Sequence, residues 1–319
     1  VIQMAVDWVA SWFWYWVYAY ITVRLSKAAW VLIKSAHIHL IAKEVPVTDL
    51  LDSWTVVTGG TDGIGKAYTF ELARARGIRK FFLIGRNINK LEAIKKELVE
   101  KYSAEVKLAV FDFENDDFDK LPAELKEIDI GILLNCAGIA PAAVGNMVEL
   151  PEGLASKILR VNLMSNIKML ETVLPGMVKR DRGIIVNVAS MTGWRPLPYL
   201  STYPSSKAAI SFYSEGIADE FANTNVKIQC LIPMLVATKV ASYEAAEAND
   251  IFVVSTDNFA RQAVHLMGAT NLATGCWQHD LQIAFASLVS PWLFKKVFVP
   301  LVMLGVHKQR VADYASKHQ

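Results

Sequence analysis

From Trp54 onward, short runs of β-branched residues alternate with helical stretches, and this alternation limits the fold more than any other feature of the chain. A strand followed by a helix-length crossover pairs in parallel with the next strand. The pattern therefore predicts an α/β fold, a doubly wound parallel sheet covered on both faces. Strands are expected near Trp54 to Thr58, Lys80 to Ile84, Val106 to Phe111, Ile130 to Asn135, Gly183 to Ala189 and Val226 to Ile232. Between the second and third, Leu91, Ile94 and Leu98 mark one apolar helix face, with Glu92 and Lys96, and Glu97 and Lys101, one turn apart on the other. The acidic run Asp112, Glu114, Asp116, Asp117 and Asp119 reads as a solvated loop and helix start rather than a cation site.

The first strand runs straight into a glycine-rich turn, Ser53-Trp54-Thr55-Val56-Val57-Thr58-Gly59-Gly60-Thr61-Asp62-Gly63-Ile64-Gly65. Gly59, Gly63 and Gly65 let the backbone turn tightly and approach a pyrophosphate at a helix start, where free N–H groups and the helix dipole favour an anion. Further on, Ser190 is followed thirteen positions later by Tyr203-Pro204-Ser205-Ser206-Lys207. Lys207 falls one helical turn beyond Tyr203 on the same face, so its ammonium is expected close to the phenol. A nearby cation favours the phenolate, bringing an acid with an ordinary pKa of about 10 closer to work at neutral pH. Pro204 is tolerated in a first helical turn, where its missing N–H has no partner to lose.

The Gly-x-x-x-Gly-x-Gly spacing and the tyrosine motif together resemble the short-chain dehydrogenase/reductase family, over residues 50 to 280. The resemblance implies a Rossmann-type fold and a catalytic set. Asn162 matches an asparagine that holds a water in a proton relay, and Ser190 a serine that polarises the substrate carbonyl. Tyr203 is then the acid, with Lys207 beside it. Asn135-Cys136-Ala137-Gly138 matches an Asn-Asn-Ala-Gly segment, with Cys136 in place of the second asparagine. Pro233, Val236 and Thr238 match the segment that supports a nicotinamide, with Met234 replacing a glycine. The implied cofactor-binding set is Gly59, Thr61, Asp62, Gly63, Ile64, Gly65, Arg86, Asp112, Asn135, Ala137, Gly138, Pro233, Val236 and Thr238, with Tyr203 and Lys207 shared. Within the family, Val57 to Tyr68, Phe111-Asp112-Phe113 and Pro233 with Val236-Ala237-Thr238-Lys239 are similar to the branch of 17β-hydroxysteroid dehydrogenases and very-long-chain 3-oxoacyl-CoA reductases.

The cofactor itself is read from the end of the second strand, Phe82-Leu83-Ile84-Gly85-Arg86-Asn87. About 20 residues past the last glycine, an acidic side chain would bond the ribose of NAD, whereas Arg accommodates the additional phosphate of NADP. Arg86 is the cation there, and NADPH is the expected hydride donor.

Hydrophobic residues make up 53% of the chain, and the excess lies at its two ends. From Val1 to Val23 the only charge is Asp7, and Trp8 to Val23 is an uncharged run of sixteen rich in Trp and Tyr. Such a stretch reads as a bilayer span of about 20 residues, an interfacial helix, or a helix packed on the domain. Arg24, Lys27, Lys34 and Lys43 follow it, which by the positive-inside tendency sets the catalytic region on the cytosolic side. The expected organisation is an apolar N-terminal membrane-anchor segment over 1–43, the dehydrogenase/reductase domain over 50–282 and an apolar C-terminal extension over 283–319. The pieces Ile283 to Phe294 and Val297 to Val306 suit core helices, a membrane-surface element or the wall of a lipid site equally. Three cysteines without a Cys-x-x-Cys argue against a disulfide framework, His37 and His39 lack partners for a metal site, and a net charge of +2 argues against nucleic acid.

These readings converge on NADPH-dependent reduction of a ketone on a lipid substrate at the endoplasmic-reticulum membrane. The branch resemblance implies a long-chain 3-oxoacyl-CoA of fatty-acid elongation, with a sterol ketone or a non-catalytic lipid-binding scaffold as the rival readings. By the same analogy a homodimer pairs through the helices carrying Asn162 and Tyr203.

Overall fold

A computed structural model describes residues 2–318; Val1 and Gln319, the extreme ends of the two expected terminal segments, lie outside the described residues. Seven strands form one sheet: β1 (Trp54–Thr58), β2 (Lys80–Gly85), β3 (Glu105–Val110), β4 (Ile130–Asn135), β5 (Gly183–Val188), β6 (Val226–Leu231) and β7 (Leu272–Ala273). Their order is β3-β2-β1-β4-β5-β6-β7 and every neighbouring pair is parallel. The winding direction reverses between β1 and β4, and the crevice at the carboxyl ends of these two strands is where such sheets receive ligands.

Alternate strand residues feed two cores. Val57, Leu83, Ile132 and Leu134 pack against α2 (Gly63–Ala75), α3 (Ile88–Tyr102) and α7 (Thr256–His265). Val56, Phe82, Ile84 and Leu133 pack against α5 (Ser165–Arg180) and α6 (Thr202–Glu220). A short α4 (Leu154–Leu159) leads through a π-helical turn, Arg160–Met164, into α5. Leu91, Ile94 and Leu98 are the buried face of α3, as expected from their spacing.

The N-terminal helix α1 (Ile2–Ala36) docks on α8 (Trp277–Leu288), where Arg24 donates to the Ser287 carbonyl at 3.0 Å and His39 meets Asp280 at 3.0 Å. Its rings at Trp8, Trp12, Trp14, Trp16, Tyr15 and Tyr18 are exposed. Among the described residues no helix is long and apolar enough to cross a membrane. With 35 residues α1 has the length, but its Trp and Tyr side chains carry N–H and O–H groups that suit an interface better than a hydrocarbon core.

Beyond α8, α9 (Pro291–Leu293) runs into a π-helical stretch, Phe294–His307, and then α10 (Lys308–Lys317). This C-terminal portion folds back over the sheet's carboxyl end. Met303, Val311 and Phe298 join Val144, Leu197, Leu200 and Tyr203 in a small separate apolar cluster.

Candidate active site

At the end of β1 the chain must pass close beneath the end of β4. Gly59 sits at φ +69°, and a Cβ there would lie 2.8 Å from the Ala137 nitrogen; a Cβ on Gly65 would lie 2.3 Å from the Gly59 carbonyl oxygen. No other residue fits either position, which leaves an open backbone cradle at the N-terminus of α2, suited to a pyrophosphate. Asp62 caps that helix by accepting from the Gly63 N–H at 2.9 Å, and it also pairs with Lys239 at 2.7 Å. Thr61 lies near Gly85 at the end of β2, and Ile64 packs into the core below. Thr58 Oγ accepts from the N–H groups of Cys136 and Ala137, each at 3.2 Å. The methyl of Thr238 rests against Gly63, while the Pro233 carbonyl accepts from the Met191 N–H at 2.9 Å and Val236 is buried. Asn135, buried, donates to Asn187 at 3.0 Å.

The four expected catalytic residues come from three different elements and meet beside this cradle. Ser190 lies two residues beyond β5 and caps a 3₁₀ turn, Met191–Trp194, by accepting from the Thr192 N–H at 3.2 Å. Tyr203 and Lys207 lie one turn apart on α6, with Pro204 in its first turn. Lys207 is buried, donates to the Val188 carbonyl at 2.9 Å and stands 5.8 Å from the centre of the Tyr203 ring. Asn162 occupies the π-helical turn before α5, a local widening that recurs at functional sites. Its side chain accepts from the Ile139 N–H at 2.8 Å and donates to the Ile139 carbonyl and to Ser206, each at 3.0 Å. Gly138 closes the group: a Cβ there would lie 3.4 Å from the Lys207 ammonium and 3.5 Å from the Asn162 oxygen.

The electrostatics differ from the sequence expectation at one point. Burial pushes the Tyr203 phenol up to about 12, outweighing a hydrogen bond from Ser190, and pushes Lys207 down to about 8. Desolvation thus dominates, and the phenol keeps its proton at neutral pH. Cys136, half-buried next to the same pair, is pushed up to about 11 by burial and stays a thiol.

A family model described as short chain dehydrogenase matches residues 53–249. The chain belongs to that family. Among its relatives, an uncharacterised oxidoreductase of Caenorhabditis elegans is 52% identical over 71% of this chain, which spans 28% of that protein's length. The very-long-chain 3-oxoacyl-CoA reductase of Mus musculus is 33% identical over 88% of each chain. A solved short-chain dehydrogenase from Sphingobium yanoikuyae, described as a complex with NADPH, superposes with a TM-score of 0.63 at 25% identity, covering 70% of this chain and 87% of that one. The family assignment makes the protein an oxidoreductase with a Rossmann-type sheet.

The remaining expected residues lie just beyond the ends of β2 and β3. Asp112 folds a tight turn, accepting from the Glu114 N–H at 3.1 Å and from Asn115 at 2.8 Å. Arg86 is exposed at the end of β2, its nearest ionic partner being Glu114 at 3.5 Å. Two features escaped the sequence reading. His279 of α8, fully buried, accepts from the Met234 N–H through Nδ1 at 3.3 Å and donates from Nε2 to the Leu235 carbonyl at 3.3 Å, so it grips the peptide that follows Pro233. Burial pushes it down to about 4, leaving the neutral ring that can both accept and donate. The second is a clasp between termini and site: Arg310 of α10 pairs with Glu247 at 2.7 Å and lies 4.0 Å over Tyr243, tying the C-terminus to the segment after Thr238. In that segment Val253 and Val254 are buried, while Val240, Ile251 and Phe252 are exposed.

Proposed function

We propose that the protein reduces a ketone on a lipid substrate with NADPH, converting a long-chain 3-oxoacyl-CoA to its 3-hydroxyacyl-CoA in fatty-acid elongation. The observation that carries this reading is the convergence of Asn162, Ser190, Tyr203 and Lys207 beside the Gly59–Gly65 cradle, in a chain similar along its length to a 3-oxoacyl-CoA reductase. Gly59, Thr61, Asp62, Gly63, Ile64 and Gly65 would hold the pyrophosphate, Asp112, Asn135, Ala137 and Gly138 the adenosine side and ribose, and Pro233, Val236 and Thr238 the nicotinamide. Arg86 would take the phosphate that distinguishes NADPH from NADH. Bound there, NADPH supplies the hydride.

The protein's own groups do the rest. Ser190 and Tyr203 hydrogen-bond the carbonyl oxygen as negative charge builds on it, and Tyr203, kept protonated by burial, delivers its proton to that oxygen. Lys207 supplies positive charge beneath the phenol. Asn162 pins the Gly138–Ile139 segment against α6 and orders the water that returns the proton. The apolar cluster of Leu197, Leu200, Phe298 and Met303 around Tyr203 forms the wall for an acyl chain. The exposed rings of α1 and the apolar C-terminal face hold the protein at the endoplasmic-reticulum membrane with the site facing the cytosol. Assay of the purified chain with NADPH against long-chain 3-oxoacyl thioesters and oxo-steroids tests the reading. Preferred turnover of the thioesters supports it, and turnover of the steroids alone overturns it.

A further inference from the structure

Trp194 and Arg195 end the turn that begins at Ser190. Gly193 of this turn lies so close to α6 that an added Cβ would stand 2.5 Å from the Ala208 nitrogen, next to Lys207. Arg195 follows at the edge of the apolar cluster that holds Tyr203, because Phe294 under its guanidinium stacks on Phe298 of that cluster at 4.5 Å. Its guanidinium lies 4.4 Å from the centre of the Trp194 ring and 5.4 Å from that of Phe294, in the C-terminal π-helical stretch. Among the described residues it makes no hydrogen bond and no ion pair. A second guanidinium borders the same place. Arg24 of α1 lies 5.0 Å from the Tyr20 ring, donates through Nε to the Tyr20 hydroxyl at 3.1 Å and through one terminal nitrogen to the Ser287 carbonyl, and among the described residues it pairs with no carboxylate. Burial, and then repulsion from Arg24, hold Arg195 below the usual arginine range. Two half-buried like charges without a counter-ion are unfavourable until an anion joins them. The aromatic faces orient the Arg195 fork without engaging its donors, which leaves them for two oxygens of a phosphate.

We propose that Arg195 and Arg24 form an anion subsite at the mouth of the active site that receives a phosphate of the substrate's carrier, the coenzyme A moiety of a thioester. The proposal rests on the acyl-CoA reading above and deepens it, because a neutral steroid gives these two cations nothing to bind. A phospholipid headgroup offers the same phosphate chemistry, and the test separates the two.

The full chain is assayed with one 3-oxoacyl group carried either on coenzyme A or on phosphate-free pantetheine, for the parent, Arg195→Ala, Arg195→Lys and Arg24→Ala. The quantity read is the ratio of the pantetheine KM to the coenzyme A KM. Loss of one charge-assisted contact should lower that ratio about tenfold or more in Arg195→Ala, with Arg195→Lys retaining part of it. An unchanged ratio overturns the proposal. Binding of adenosine 3′,5′-bisphosphate to the NADP-loaded protein, measured by calorimetry, gives a readout that needs no turnover. Arg195-dependent binding in a protein that reduces no thioester upholds the subsite while the substrate reading fails. If the ratio is unchanged but binding to phosphatidylserine vesicles falls, a headgroup replaces the carrier and the proposal is wrong. Should Arg195→Ala fail to fold, the Lys variant and the bisphosphate titration decide.

Discussion

Tyr203 and Lys207 are displaced in opposite directions by the same cause, burial, and the consequence is a proton donor that stays loaded above a cation that keeps its charge through neutrality and loses it above about 8. Replacing Tyr203 by Phe should lower ketone reduction by about a hundredfold to ten-thousandfold, with NADPH binding retained, because the donor is lost and little volume changes. Turnover within a few-fold of the parent would assign the acid elsewhere. The pH dependence follows from Lys207. Its pKa of about 8 lies below the ordinary 10.5, so the ammonium is present below that value and lost above it. Reduction should therefore hold level through neutrality and decline as pH rises through about 8, while the phenol at about 12 contributes nothing to the decline. A rate that rises through this window would contradict the assignment. At the adenosine side, Arg86→Asp exchanges a phosphate partner for a repulsion, and its cofactor preference should move toward NADH by more than about 3 kcal/mol. A variant that keeps the parent's preference would give the role to Lys66, Asn87 or Lys90.

The elements that the sequence made readable are those whose side chains repeat. Six strands were visible because β-branched runs buried on both faces leave a continuous apolar signal, as in Ile130–Asn135, whereas β7 is two residues long and carries none. Asn162, Ser190, Tyr203 and Lys207 were readable because a fixed spacing encodes their meeting. His279 was not, since its partners at Met234 and Leu235 come from another element and only the folded chain brings them together. Nor did periodicity separate the roles of the C-terminal stretch, which uses Met303 and Phe298 inward and leaves Trp292, Leu301 and Val306 exposed. The buried His279 makes a prediction for its element. With a folded pKa of about 4 against an ordinary 6.5, the unfolded chain takes up the proton first. Its contribution to stability is thus complete above about 6.5 and is lost as pH falls toward about 4. Thermal unfolding should show this acid-side loss in the parent and less of it in His279→Ala, which should also raise KM for NADPH by loosening the segment after Pro233. Identical acid profiles would mean that α8 does not govern that segment.

At the scale of the whole molecule, apolar surface is concentrated on α1, on α8 at Trp277, Leu281 and Phe285, and on the C-terminal stretch. A surface of this kind is suited to a bilayer interface from which a lipid substrate can enter without crossing water. Removing residues 2–19 deletes the exposed rings but keeps the Arg24 and His39 contacts to α8. Binding to vesicles should drop at least about tenfold while a short-chain ketone is still reduced. Loss of the cooperative thermal transition would instead show that the rings belong to the domain's own packing. Of the apolar residues on the helices expected to pair two subunits, Leu170, Val173 and Ile217 are core, while Met164, just before α5, and Phe212 of α6 are exposed. Hydride transfer to a lipid ketone is the claim on which every role above depends, and it is tested most directly by following label from deuterated NADPH into product. Incubation with a long-chain 3-oxoacyl-CoA should give the 3-hydroxyacyl-CoA with deuterium at C3, and Tyr203→Phe should give almost none. Unlabelled product, or label transferred equally by the Phe variant, would contradict it.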